Sequence, residues 1–232
     1  MPKHPTNKNL TIIKATTFKT LPLGRPRYQG AFEFIEEYLN TNINVMNSAL
    51  RTHARTLAVR VDLHLPRQAS GNASFNNFQE ASITRFIKSL KSKIGNHISR
   101  TRRNGNSTHR SEVQYVWVCE QGETGQDHYH LVLFLNNDTF RHPGVKRTGE
   151  EPSNLIKMII GAWSSALKIG FDEAWDLVTI PSGASYLLRN TSIPEQAYCD
   201  LFKRLSYFAK VKTKVYGENR NSYGSSRLLR HR

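Results

Sequence analysis

His128-Tyr129-His130-Leu131-Val132-Leu133-Phe134 follows, across a turn containing Gly122 and Gly125, the run Val113 to Glu120. Both runs are rich in β-branched and aromatic residues, and the glycines between them favour a tight reversal. They predict an antiparallel hairpin of two strands, Val113–Glu120 and His128–Leu135. Successive strand residues point to opposite faces, so His128 and His130 share one face with their roots about 6 to 7 Å apart. If Glu120 pairs opposite His128, its carboxylate joins them. Two imidazoles and a carboxylate suit Mg²⁺ or Mn²⁺ acting as a Lewis acid, with positions open for water or phosphate oxygen. Neither Cys119 nor Cys199 has a spacing that completes a tetrahedral zinc set.

Upstream, Thr56 to Leu65 alternates Leu57, Val59, Val61, Leu63 and Leu65 with Arg60, Asp62 and His64. This predicts a strand with one buried face, ended by Pro66. Helical periodicity marks Gln29 to Ala54 (Phe32, Ile35, Leu39, Ile43, Met46, Leu50). It also marks Asn77 to Ile98, with Phe78, Ile83, Phe86, Ile87 and Leu90 inward, and Ser153 to Leu167. Ser99 to Arg110 is expected to be a basic loop carrying Arg100, Arg102, Arg103 and Arg110. Trp175 to Ile180 reads as a further strand, and Tyr186 as the centre of a short helix. Residues 1–28 read as a basic extended arm, 29–216 as the domain and 217–232 as a basic tail. Strands and helices in this order indicate an α+β class built on an antiparallel sheet with flanking helices.

The 33 Lys and Arg against 18 Asp and Glu leave a net charge of +15 on 232 residues, which favours a polyanionic partner. A membrane partner is not expected. The most apolar stretch, Leu155 to Leu167, is interrupted by Lys157 and too short to span a bilayer. Two cysteines without redox or metal spacing, and an N-terminus without an apolar signal region, lead to the expectation of a cytoplasmic protein. There is no Walker-type glycine loop for ATP.

The last predicted helix, Glu195 to Lys212, puts Leu201, Leu205 and Phe208 on one side. Tyr207 faces away from them, and Lys203, Lys210 and Lys214 share its face. A phenol so placed can attack a phosphodiester whose oxygens a metal polarises, beside an ammonium that stabilises the charge.

An alternating strand, then His128-Tyr129-His130, then Tyr207-Phe208-Ala209-Lys210 resembles the motif order of HUH endonucleases. The C-terminal part is similar to the family of the prophage proteins YagK and YfjJ, which is inovirus replication-initiator-like. The likeness lies in Ser185-Tyr186-Leu187-Leu188, in Arg204 through Lys214, in Tyr216-Gly217 and in Arg220-Asn221, and spans about residues 30 to 227. It implies an HUH-like fold and a DNA nickase that initiates rolling-circle replication through a 5′-phosphotyrosine and a free 3′-OH. It implies Tyr207 as nucleophile, Lys210 as its electrostatic partner, and His128 and His130 as metal ligands, with Glu120 added from the hairpin. DNA contacts are expected from Arg100, Arg102, Arg103, Arg110, Lys203 and Lys214, with single-stranded or origin DNA and the host replication machinery as partners. Many members of the wider class carry two tyrosines on this helix, whereas Tyr207 has none three or four residues away. Tyr186, followed by Arg189, competes as nucleophile. A relaxase or transposase would share this chemistry, and a non-catalytic DNA-binding regulator could share the fold.

Overall fold

The computed structural model describes residues 2–26, 30–66, 74–121, 127–144, 146, 152–211 and 221–228, with side chains of the second helix described from residue 81 onward. Its elements run β1 (Ile12–Lys14), β2 (Thr17–Phe18), β3 (Leu21–Pro22), β4 (Glu33–Ile35), α1 (Glu36–Thr52), β5 (Arg55–His64), α2 (Ser74–Arg103), β6 (Gln114–Gln121) and β7 (Asp127–Asn136). Then come α3 (Asn154–Leu167), α4 (Phe171–Asp176), β8 (Val178–Thr179), β9 (Ser185–Arg189), α5 (Gln196–Ser206), a 3-10 turn (Tyr207–Ala209) and β10 (Tyr223–Ser225). The class is α+β with antiparallel sheets, as expected.

The main sheet has the order β10-β6-β7-β5-β8, and β9 takes the remainder of the β5 edge. Its centre is β7, whose Leu131-Val132-Leu133-Phe134-Leu135 is buried on both faces. Alternation sorts these side chains into two cores. On one face Leu57, Val59, Val61, Leu63, Leu131 and Leu133 meet α2 and α3 through Phe86, Leu90, Ile159 and Trp163. On the other, Ala58, Val116, Val118, Val132 and Phe134 meet α1 and α5 through Leu39, Met46, Leu201 and Leu205. The sheet is thus covered by helices on both sides. Arg60, Asp62 and His64 belong to the second face, so the polar side of β5 is not simply a solvent face: Asp62 is buried.

Several expectations need correction. Trp175 to Ile180 is not one strand: Gly170 caps α4, whose first turn carries Asp172 and Glu173, and only Val178–Thr179 pairs with Asp62–Leu63. Tyr186 is in strand β9, opposite Ala58, because the exposed edge of β5 recruits Ser185–Arg189. Arg100, Arg102 and Arg103 lie in the last turn of α2, not in a loop. That helix ends with Asn104 and Gly105 donating back to Arg100 and Arg102, and Gly105 takes φ 77°, the left-handed geometry that favours glycine. The final helix stops at Ser206, far short of Lys212. Beyond the 3-10 turn, Lys210 is extended, bridges Phe34, and is followed by Val211 donating to Glu33. Strand β4 captures this segment in place of another helical turn.

The described parts of the expected arm and tail, residues 2–26 and 221–228, include strands of the fold. Residues of β1 pair with β4, the β2–β3 hairpin lies against α5, and Leu21 and Leu23 are buried in the second core. Near the C-terminus, β10 pairs with Val116–Val118 at the sheet edge. Tyr223 stacks on Tyr38 at 4.0 Å, and its hydroxyl donates to Asn42 Oδ1 at 2.8 Å. Asn42 Nδ2 in turn donates to the Leu205 carbonyl, so one buried amide ties α1, α5 and β10 together. The turn glycines Gly122 and Gly125, the loop after Pro66, the side chain of Phe78, and Lys214 lie outside the described residues.

Next to Tyr223, Gly224 lies flat on Trp117. A Cβ there would sit 2.5 Å from Trp117 Cζ2. Gly224→Ala should therefore cost about 1–3 kcal/mol, the usual penalty for overpacking, measured by urea unfolding. A stability within error of the parent would mean that β10 does not hold this edge.

Candidate active site

The hairpin register puts Glu120 opposite His128, and β5 extends the same row with His64 opposite His128. The adjacent row on that face holds Val118, His130 and Asp62. Glu120, His128 and His130 each offer one ligand atom, all within 4.8 Å of one another, and all three side chains are partly exposed. His128 Nε2 and His130 Nε2 are 3.1 Å apart, and Glu120 Oε2 is 3.5 Å from His130 Nε2. Neighbouring ligands of one ion, each about 2.0–2.2 Å from it, fall about 3 to 3.5 Å apart. The three donors therefore fit a single divalent cation without rearrangement of the strands.

Two residues given no role by the sequence motifs orient this cluster. His130 Nδ1 lies 2.8 Å from Asp62 Oδ1 and donates to that carboxylate, which turns Nε2 toward Glu120 and His128. Arg60 then holds Asp62 in a bidentate pair, Nε to Oδ1 at 2.9 Å and Nη2 to Oδ2 at 3.1 Å. A carboxylate behind a metal-facing imidazole fixes its tautomer and raises its basicity. Exposed His64 stacks on the His128 ring at 5.7 Å. Their signal in the sequence is the charged set Arg60, Asp62 and His64 on one side of a core strand; pairing that strand with β7 sets Asp62 against His130.

Burial acts to lower the pKa of His130, but its hydrogen bonds to Asp62 and Glu120 outweigh that, and the net shift is upward. Burial acts to raise Asp62, but His130 and Arg60 outweigh it, and the net shift is downward. The stabilising contribution of His130 is thus full below the ordinary histidine range and is lost as pH rises through the folded pKa. That of Asp62 is full above the ordinary aspartate range and is lost as pH falls through the folded pKa.

The 3-10 turn after α5 brings the tyrosine segment beside this cluster. Buried Phe208 stacks on His130, with ring centroids 6.3 Å apart. Tyr207 points out, 36% exposed, and with Arg60, Tyr186, Asp200, Lys203 and Arg204 lines an open groove of about 300 Å³. Arg60 is therefore shared by the groove and the histidine cluster. The Tyr207 ring rests on Gly24, where a Cβ would be 2.4 Å from Cε2, and its hydroxyl donates to the Arg25 carbonyl at 3.2 Å. Gly24 N donates to Ser206 Oγ at 2.8 Å, so the N-terminal segment forms the seat of this tyrosine. Lys210 Nζ lies 5.0 Å from the Tyr207 ring and 4.5 Å from Phe32. Tyr186 faces the same groove under Arg204, 5.7 Å from its ring. By contrast Tyr198 is buried, donates to Asn47, and is pushed up to about 12 by burial and by Cys199, which makes it a poor nucleophile.

The structure does not bring the expected arginines to this site. Arg110 pairs with Glu112, and its carbonyl accepts from Asn136 at the far end of β7. Between His128 and Asn136 the strand covers about 26 Å at a rise of ~3.3 Å per residue. Arg100, Arg102 and Arg103 lie at the end of α2, on the opposite face of the sheet. Of the expected DNA contacts among the described residues, Lys203 is found beside Tyr207, as is Lys210, its expected electrostatic partner. No helix among the described residues is long and apolar enough to cross a membrane.

The YagK/YfjJ C-terminal domain family matches residues 16–226, and the chain belongs to that family. It is 33% identical to YagK of Escherichia coli strain K12, over 87% of this chain and 98% of YagK. It is 35% identical to YfjJ of the same strain, over 79% of this chain and 90% of YfjJ. No solved structure is significantly similar to it.

In the metal-free protein, a proton NMR titration of the histidine Cε1–H signals should find His130 above the ordinary histidine value. Asp62→Asn should move it down, because the partner that favours the charged ring becomes neutral. A His130 titration unchanged by Asp62→Asn would show that the two are not bonded.

Proposed function

We propose that this member of the YagK/YfjJ family is a metal-dependent nickase of single-stranded DNA, of the HUH class, that initiates rolling-circle replication of a phage or other mobile element. The observation that carries the reading is the convergence of Glu120, His128 and His130 beside a groove that holds Tyr207 and Arg60. A binding protein has no need of three metal-fitting donors with a carboxylate–arginine pair behind one of them. The net charge of +15 is in keeping with a nucleic-acid substrate.

Glu120, His128 and His130 would hold Mg²⁺ or Mn²⁺, which when bound supplies Lewis-acid polarisation of the scissile phosphate. Asp62, fixed by Arg60, keeps the His130 proton on Nδ1 and its Nε2 free to ligate. Tyr207 leaves the Arg25 carbonyl and its oxygen attacks phosphorus. The tyrosine O–P bond forms as the P–O3′ bond breaks, and the phenol proton is balanced by the one taken up at the departing 3′ oxygen. The products are a 5′-phosphotyrosine and a 3′-OH able to prime synthesis. Lys210, 5.0 Å from the Tyr207 ring, and Lys203, on the lining of the groove, would supply compact positive charge to the attacking oxygen and the phosphate.

Tyr186 lines the same groove and is the competing nucleophile. Its position on a paired strand beneath Arg204 gives it less freedom than Tyr207, whose side chain points out of the 3-10 turn. The protein incubated with Mn²⁺ and a labelled pool of random-sequence single-stranded DNA should yield a covalent adduct on a denaturing gel. Tyr207→Phe should abolish it and Tyr186→Phe should keep it, while His128→Ala or His130→Ala should slow it about a hundredfold or more. A nucleotide remnant on the Tyr186 peptide, read by mass spectrometry, would reverse the tyrosine assignment. Absence of any adduct with Mn²⁺ or Mg²⁺ would refute the nickase.

A further inference from the structure

A second concave surface lies across the sheet from the histidine cluster, between the C-terminal half of α2 and the start of α3. It is a cavity of about 700 Å³ whose lining includes Lys93, Asn96, Arg100, Asn104, Asn154 and Lys157. Among the described residues no Asp or Glu lines it, and no Phe, Tyr or Trp does. Arg102 and Arg103, both exposed, extend the positive charge beyond its rim. The stem of Lys93 passes over Gly161 of α3, so the two helices share this charge. His97, also on its lining, stacks on Phe140, just past the end of β7 opposite to the one that bears His128 and His130.

We propose that this groove seats the sugar–phosphate backbone of duplex DNA, away from the cleavage site. Cations and amide donors without carboxylates match phosphate oxygens, which positions a duplex without reading its sequence. Among its described lining residues the one ring is that of His97, already stacked on Phe140, which sets the groove apart from single-strand sites, where bases stack on successive aromatic platforms. Among the described residues Met158 is its one apolar lining side chain, too little for the apolar centre of a protein interface. The groove thus differs in kind from the tyrosine groove, and it holds the duplex flanking a single-stranded target. That purpose rests on the nickase reading, whereas duplex binding does not.

The test is fluorescence anisotropy in EDTA, over a range of NaCl, with one DNA sequence as a labelled duplex and as a single strand. Because no cleavage occurs in EDTA, its outcome is separate from that of the adduct assay. In Lys93→Gln/Arg100→Gln/Lys157→Gln the slope of log affinity against log salt for the duplex should fall by about 2 to 3, near 0.9 for each phosphate no longer neutralised. Single-strand affinity should stay within about twofold, since the tyrosine groove and its Lys203 and Lys210 are untouched. Arg100→Gln alone should remove about one from the slope and guards against misfolding of the triple variant. A duplex slope unchanged in both variants would overturn the proposal. So would an equal loss on the single strand, or tighter binding of duplex RNA than of duplex DNA.

Discussion

The backbone ladder joining β5, β7 and β6 is the constraint on which the remaining structure depends. Its register sets Asp62 against His130, His64 against His128, and His128 against Glu120. A slip of one residue would turn every side chain of a strand to the opposite face. His128 and His130 would then enter the core of Trp163 and Phe86, and Leu131 and Leu133 would leave it. Because each face of β7 is buried by a different helical layer, the register that builds both cores also assembles the polar cluster. Folding and site formation are here one event, and Trp163, which donates from Nε1 to the His64 carbonyl, fastens α3 to the end of β5 that carries Asp62 and His64.

The parts legible in the sequence are those governed by period. Alternation and the turn glycines located the hairpin, and with it the common face of His128, His130 and Glu120. Helical period located α1, α2 and α3, the last starting after Ser153, whose hydroxyl accepts from Ile156 N. Alternation tells which residues share a face but not what covers that face. Nothing in the alternation therefore marks Asp62 as buried, although it lies between an imidazole and a guanidinium. Short strands also escape detection. Residues 12–14, 33–35 and 223–225 are held by edges that only the folded sheet offers. The end of α5 was hidden for the same reason, since nothing in Phe208-Ala209-Lys210 breaks a helix until Phe34 is in place to pair with Lys210.

Charge and chemistry are separated in this fold. The histidine cluster and Tyr207 occupy one end of the sheet on the α5 side. The arginines of α2 and the segment after it gather at the other end, largely on the α2–α3 side. Arg60, Lys203 and Arg204 line the groove of Tyr207 and Lys210 lies over its ring, and Arg60 is committed to Asp62. Under the proposed function, this division would let the protein hold a polyanion at one place and act on it at another. It also explains how Phe208 and Tyr207, adjacent in sequence, take opposite duties: one walls the imidazole and the other meets solvent.

The central claim is that Glu120, His128 and His130 form one cation site with His130 turned by Asp62. Pulsed EPR of the protein loaded with one equivalent of Mn²⁺ addresses it directly, because ligating nitrogens couple to the electron spin. The account predicts a bound ion coupled to two imidazole nitrogens, reduced to one in His128→Ala and in His130→Ala. Mn²⁺ that remains fully hydrated, or a bound ion with no nitrogen coupling, would contradict it.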